Sequence, residues 1–208
     1  MDITLRVSGP PLRLNDREAV GLHQPSPTLD QESGIVTGMT TIDEKPWLSE
    51  PNLKNVETMD DYLLIKRTEA KLSLELAKIH YEAFRERLSK THPELASKHF
   101  GFTVDASGNF TIVDPKNSLS QSEKAWLAKQ LSEYRGLKEN LMAHAEAATA
   151  VAKYDTTGIL SRYQLANDEI GKLIDYGAVV KSDYMERAFE EQVQNGATCK
   201  IPFISENV

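Results

Sequence analysis

The sequence has a single cysteine, Cys199, among its 208 residues. One thiol cannot form a disulfide within the chain, and it cannot supply the cysteine pairs of a zinc or iron–sulfur site. The sequence also lacks an apolar run long enough to span a membrane, which takes about 20 residues. Its first residues lack the basic start and apolar core of a secretory signal. We therefore expect a cytoplasmic protein, with export by a route independent of a signal peptide as the alternative.

Short motifs that mark catalytic or cofactor sites are missing as well. The sequence contains no phosphate-binding or dinucleotide-binding glycine loop and no nucleophile elbow. The turn at residues 105–116 begins like a calcium loop, but Phe110 stands where that loop needs glycine and Lys116 stands where it needs glutamate. His144 and Glu146 resemble half of a zinc deaminase motif whose cysteine half is absent. We expect no cofactor and no metal site, and the sequence marks no catalytic residue.

The charge balance argues against a nucleic-acid partner. Asp and Glu number 31, against 24 Lys and Arg, which gives a formal net charge of -7. An acidic surface repels a phosphate backbone on average, so binding to DNA or RNA is not expected.

Residues 1–57 differ in character from the rest of the chain. They hold six of the nine prolines and show no sustained helical period, so they offer little apolar burial to offset the entropy cost of ordering. We predict a largely disordered N-terminal arm. Trp47 and Leu48 form an apolar exception, for which two interpretations remain open: contact with a partner, or docking on the protein's own core.

Residues 58–196 are predicted to form a mainly α-helical domain. A first long helix is expected from Thr58 to about Ser89, and the pattern FGFTVDASGNFTIV predicts a β-hairpin at about residues 101–113. Ser120 and Glu123 match a capping box that starts a second long helix. We expect the long helices to pair antiparallel across the hairpin, with two shorter helices, beginning near Ile159 and Met185, packed on them and a C-terminal tail at residues 197–208.

Both predicted long helices carry stripes of apolar residues at alternating spacings of three and four, which is typical of coiled coils. We expect Leu72 and Leu76 in the first stripe, and Leu127 and Leu131 in the second, to belong to the core. The first stripe contains Ile65, Leu72, Leu76, Ile79 and Ala83, and the second contains Leu127, Leu131, Tyr134, Leu141, Ala145, Ala148 and Ala152.

Three functions remain open at the level of the sequence. The first is non-catalytic protein binding or scaffolding, by a protein partner or by self-association, because helical stripes and a disordered arm both suit binding. The second is a bacterial effector or another protein exported without a cleaved signal, which rests on layout alone. The third is a small helical enzyme whose site is assembled from distant residues, with His80, Tyr134, Glu139 and His144 as the candidates.

Overall fold

A computed structural model describes residues 45–200 of the chain. Residues 1–44, which make up most of the predicted arm, and residues 201–208 of the predicted tail lie outside the described residues. The part of the arm that is described, residues 45–57, forms two 3₁₀ turns, at Pro46–Ser49 and Pro51–Leu53.

The described residues form the mainly α-helical fold that the sequence predicts. One antiparallel hairpin interrupts the helices, with strands β1 (Gly101–Val104) and β2 (Phe110–Val113). The helices are α1 (Met59–Thr91), α2 (Pro93–Ala96), α3 (Gln121–Ser132), α4 (Arg135–Tyr154), α5 (Asn167–Leu173), α6 (Tyr176–Val179) and α7 (Met185–Gly196).

The bounds of α1 follow from its end residues. The Thr58 side chain accepts a hydrogen bond from the Asp61 amide at 3.1 Å, which satisfies one of the amides that a helix leaves free at its start. The helix ends at Thr91 because His92 precedes Pro93 and adopts a non-helical backbone with φ of -144°, as a residue before proline tends to do.

The long helices α1 and α4 pack against each other in antiparallel orientation, as predicted. Near one end, the Arg67 guanidinium of α1 contacts the Asp155 carboxylate just after α4 at 2.8 Å. At the other end of α4, a side chain on Gly136 would collide with the His80 ring of α1. Small residues of α4 allow this close approach, as the alanine-rich end of the second stripe suggests.

The second long helix is two helices rather than one, which corrects the sequence prediction. The chain leaves helical geometry at Tyr134, where φ is -87° and ψ is 80°. In a continuous helix, Leu131 and Leu137 would point about 120° apart because they are six positions apart. With the break, both leucines are fully buried. The break therefore lets α3 and α4 bury their apolar faces in the same core, and the predicted capping box at Ser120 and Glu123 is present.

The hairpin is confirmed, and helices α3, α5 and α6 pack against it. Phe102 pairs with Ile112 and Val104 with Phe110, and all four side chains are buried. A side chain on Gly177 of α6 would collide with the backbone of β1, so this position requires glycine.

The predicted burial of Leu72 and Leu76 in the first stripe is wrong. Leu72, Leu76 and Ile79 are 52%, 39% and 59% exposed. The face of α1 that packs inward instead carries a second series with the same alternation of three and four, Leu74, Ala77, Tyr81, Phe84 and Leu88, all buried. This series contains two aromatic rings, and aromatic side chains bury more area than leucine or isoleucine. Burying the second series therefore removes more apolar area from water than burying the first stripe, so the second series faces the core.

The predicted third helix is also shorter than expected. In place of one helix that begins near Ile159, the structure has a 3₁₀ turn at Leu160–Arg162 followed by α5 and α6. The intervening chain pairs with the C-terminal segment: the Gln164 amide donates to the Thr198 carbonyl, and the Lys200 amide donates to the Arg162 carbonyl, each at 2.8 Å. These bonds replace helical ones. Cys199 lies in this pairing and is exposed, and α7 is present where the fourth helix was predicted.

Candidate functional site

The two residues that the sequence singles out in the arm lie in different environments. Trp47 is 4% exposed, and its ring centroid lies 5.9 Å from that of Tyr62 on α1. Leu48, the next residue, is 62% exposed. The Trp47 ring therefore packs on the protein's own helices, whereas Leu48 is free to contact another molecule.

An ionic contact holds the same segment on α1. The Glu50 carboxylate accepts hydrogen bonds from the Tyr62 hydroxyl at 2.8 Å and from the Lys66 ammonium at 2.5 Å. Lys66 is buried and also contacts Glu69 at 3.0 Å. Burial lowers the pKa of Lys66, but the hydrogen bonds to Glu50 and Glu69 outweigh that effect and raise it, so the ammonium stays charged. No local sequence pattern marks the Glu50 contact, because its partners are 12 and 16 positions away.

An apolar surface runs along the outer face of α1, which we call the α1 strip and define as Leu72, Leu76, Ile79 and Ala83. All four residues are exposed. A groove with a volume of about 380 Å³ lies beside the strip, between α1 and α4, and Leu72, Leu76, Ala143 and Ala147 are among its lining residues. The alanines of α4 leave space where larger side chains would fill the groove.

Charges of alternating sign follow one side of the α1 strip. In chain order they are Lys71, Glu75, Lys78 and Glu82, at spacings that place them on one flank of the helix. Glu69 and Arg87 lie on the opposite flank. Among the described residues, no ion pair within 4 Å involves Lys71, Glu75, Lys78 or Glu82. These four charges are available to a second molecule.

A buried histidine lies on the inner side of α4. His144 is 3% exposed, and its Nδ1 lies 2.9 Å from the Tyr176 hydroxyl oxygen of α6. Burial lowers the pKa of His144 to about 3 and raises the pKa of Tyr176, so the imidazole and the phenol are both uncharged at neutral pH. Sequence reasoning missed Tyr176, since it is 32 positions from His144 and no short motif links them.

His144 also lines a pocket of about 320 Å³ between α1, α4 and α7. The Arg67–Asp155 ion pair lies at its edge. Burial opposes ionisation of Asp155, but hydrogen bonds from the Thr157 amide and the Arg67 guanidinium outweigh that opposition and hold the pKa of the carboxyl at about 2. The carboxylate is therefore a fixed part of the pocket's rim.

The four residues named for a possible enzyme do not form one cluster. Glu139 is exposed and pairs with Arg135 at 2.6 Å, the Tyr134 ring packs on Phe84, and His144 binds Tyr176. Within residues 45–200, no hydrogen bond or ion pair joins any two of the four.

Neither a metal centre nor a membrane-spanning helix is found in the part of the chain that the structure describes. No group of three or more His, Cys, Asp and Glu side chains there is placed to hold a metal ion. No helix of residues 45–200 is both long enough and apolar enough to cross a membrane. In comparisons with known proteins, no family model, no curated protein and no solved structure matches this chain.

Proposed function

We propose that this protein is a non-catalytic protein-binding or scaffolding protein that acts through the α1 strip, and that the strip's partner is a second copy of the same chain. The observation that carries the proposal is the exposure of Leu72, Leu76 and Ile79 on one face of a 33-residue helix. Contiguous apolar surface that a chain leaves uncovered is typical of interaction sites. Heptad-like spacing favours another helix as the contacting element.

The order of charges favours self-association over a different partner. When two α1 helices pair antiparallel about a point near Ala77, Leu76 meets Ile79 of the second copy, and Leu72 meets Ala83. The same alignment brings Lys71 beside Glu82 of the second copy, and Glu75 beside Lys78.

The charges on the opposite flank of the strip support the same antiparallel alignment, because Glu69 then approaches Arg87 of the second copy. A two-fold axis repeats every contact, as in the isologous interface of a homodimer. A parallel alignment would instead bring this four-charge flank beside the opposite flank of the second copy, which carries fewer charges. The charge pattern of α1 is therefore more complementary to itself in the antiparallel direction.

The expected dimer is weak. A stable interface usually buries about 800 Å² on each partner, and the strip offers only a few large apolar side chains. We expect a dissociation constant in the range of about 1 to 100 μM, with weaker pairing at high salt because the flanking charges are exposed. Leu48 is a second contact point in this proposal, whereas Trp47 acts by holding the Leu48 segment on α1.

The experiment is a charge exchange measured by sedimentation equilibrium of the full chain. One variant carries Lys71→Glu and Lys78→Glu, and the other carries Glu75→Lys and Glu82→Lys. Each variant alone places like charges across the interface, so each should be monomeric at concentrations where the unaltered protein dimerises. An equimolar mixture should recover the dimer, because acidic flanks then meet basic ones.

The matched control is Tyr184→Ser, which removes a side chain that is 75% exposed and lies outside α1. This variant should dimerise like the unaltered chain. A wild-type protein that stays monomeric up to about 500 μM would contradict self-association, and so would a charge-exchanged mixture that stays monomeric while the wild type dimerises.

A further inference from the structure

The pocket beside His144 has several apolar walls, and within the described part of the chain His144 is the one uncharged polar side chain in its lining. Its walls include Leu74, Ala148, Val151, Leu160 and Phe189, and His144 is the polar group among them. The His144 ring lies edge-on to Phe189, with centroids 4.6 Å apart and an interplanar angle of 88°. Two aromatic rings in this edge-to-face arrangement attract each other.

The hydrogen bond to Tyr176 determines which nitrogen of His144 carries the proton. Among the described residues, the Tyr176 hydroxyl has only Nδ1 of His144 as a partner. A buried hydroxyl that does not donate leaves its hydrogen unsatisfied, which costs free energy. The Tyr176 O–H therefore donates to Nδ1, and the neutral imidazole carries its hydrogen on Nε2.

The remaining edge of the ring is available to a ligand. Tyr176 is not among the residues that line the pocket, whereas His144 is, so the ring edge away from Nδ1 borders the empty space. No hydrogen bond to Nε2 occurs within residues 45–200. The pocket thus contains a donor without an acceptor, surrounded by apolar walls.

Charged residues of both signs also line the pocket. The charged lining residues are Arg67, Lys71, Asp155, Glu186 and Glu190, and the Asp155 carboxylate is already paired with Arg67. Because both signs occur together and the apolar walls would remove hydration from a charged group, the lining selects neither an anion nor a cation. These features favour an uncharged ligand.

We infer that the pocket binds a small, uncharged, mainly apolar molecule, such as an aromatic ketone or ester, whose carbonyl oxygen accepts a hydrogen bond from His144 Nε2. The volume of about 320 Å³ lies at the lower end of the range for ligand sites, so the molecule is of fragment size. This inference does not rest on self-association, because the α1 strip lies on a different face of α1 and, of the residues named for the dimer, only Lys71 also lines the pocket.

The test compares two probes of nearly the same shape, acetophenone and α-methylstyrene, which differ in the carbonyl oxygen. Full-chain protein labelled with ¹⁵N at histidine is titrated with each probe and followed by NMR. Acetophenone should shift the Nε2 resonance of His144 and bind at least about tenfold more tightly than α-methylstyrene, since one hydrogen bond to a buried donor is worth about that factor.

A blocking variant checks the location. Ala70 lines the pocket from α1, and Ala70→Leu fills the space with a residue that favours helix, so acetophenone binding should fall at least about tenfold while the protein remains folded. Ala125→Leu, at an exposed position on α3 outside the pocket, is the matched control and should bind normally. Equal affinity for the two probes, an unshifted Nε2 resonance at saturating acetophenone, or full binding by the Ala70→Leu variant would each overturn the inference.

Discussion

The outer face of α1 and the interior of the α1–α4 pair each hold a few side chains that their polarity alone would place elsewhere. Leu72, Leu76 and Ile79 are exposed on the outer face, whereas the interior holds His144 and Asp155 with little exposure. Each interior group has a partner, either Tyr176 or Arg67. Burial of a side chain on this helix pair therefore depends on the apolar area that its whole face buries and on whether its polar atoms have hydrogen-bond partners. It does not depend on the apolarity of the single residue.

The largest expected effect separates the two faces of α1 directly. Leu74 is 1% exposed and Leu72 is 52% exposed. The same leucine-to-alanine substitution at these two positions therefore tests the inner face and the outer face separately. Leu74→Ala should lower the free energy of unfolding by about 2 to 5 kcal/mol, since it leaves a cavity. Leu72→Ala should change that free energy by less than about 0.5 kcal/mol in dilute monomeric protein.

Urea denaturation at a protein concentration below that of dimerisation measures both values. Losses of similar size for the two variants would mean that the outer face is covered by the chain itself, and the contrast between the faces would be wrong.

The next effect concerns the buried imidazole. In the folded protein, burial holds the pKa of His144 at about 3, against 6.5 for an unburied histidine. Below pH 6.5 the unfolded chain takes up a proton that the folded protein does not, so stability falls as the pH falls from 6.5 toward 3. Between pH 7 and pH 5 this histidine should reduce the free energy of unfolding by up to about 2 kcal/mol.

Urea denaturation at both pH values, on wild type and on the His144→Gln variant, measures this loss. The variant has no group at residue 144 that titrates in this range, so its stability should change less with pH. An equal pH dependence in the two proteins would show that His144 is already solvated in the folded state.

The smallest effect compares two buried tyrosines. Tyr176 and Tyr81 are 0% and 2% exposed, but only Tyr176 has a hydrogen-bond partner, because the Tyr81 hydroxyl has none among the described residues. Tyr176→Phe should cost about 1 to 2 kcal/mol because it leaves Nδ1 of His144 without a partner. Tyr81→Phe should stay within about 0.5 kcal/mol of wild type or stabilise the protein slightly.

Thermal unfolding of both variants and wild type at one pH ranks them. Equal losses for the two variants would indicate that an ordered water binds the Tyr81 hydroxyl.

Local patterns in the sequence were sufficient for most of the fold. Thr58, the capping box at Ser120 and the turn formers between Val104 and Phe110 act through neighbours a few positions away, so the starts of α1 and α3 and the hairpin could be predicted. The break at Tyr134 could not, because it depends on how Leu131 and Leu137 reach the same core. Periodicity also could not choose between the two stripes of α1, since both have the same spacing.

The candidate sites were less predictable than the fold, for a related reason. The exposed strip was visible as a pattern, but its exposure depends on the competing aromatic series that includes Tyr81 and Phe84. The pocket depends on His144 meeting Tyr176 and Phe189, which come from separate helices. Contacts of this kind have no signature at short sequence distance.

The exposed thiol of Cys199 makes this molecule convenient for distance spectroscopy. Because it is the chain's single cysteine and lies on the surface, one nitroxide reagent would label every molecule at one defined position without any engineered substitution. Two copies related by an antiparallel axis would then carry two equivalent probes, and electron paramagnetic resonance would report a single separation between them. The distance between the two labels would thus be a direct measurement on the proposed symmetric dimer.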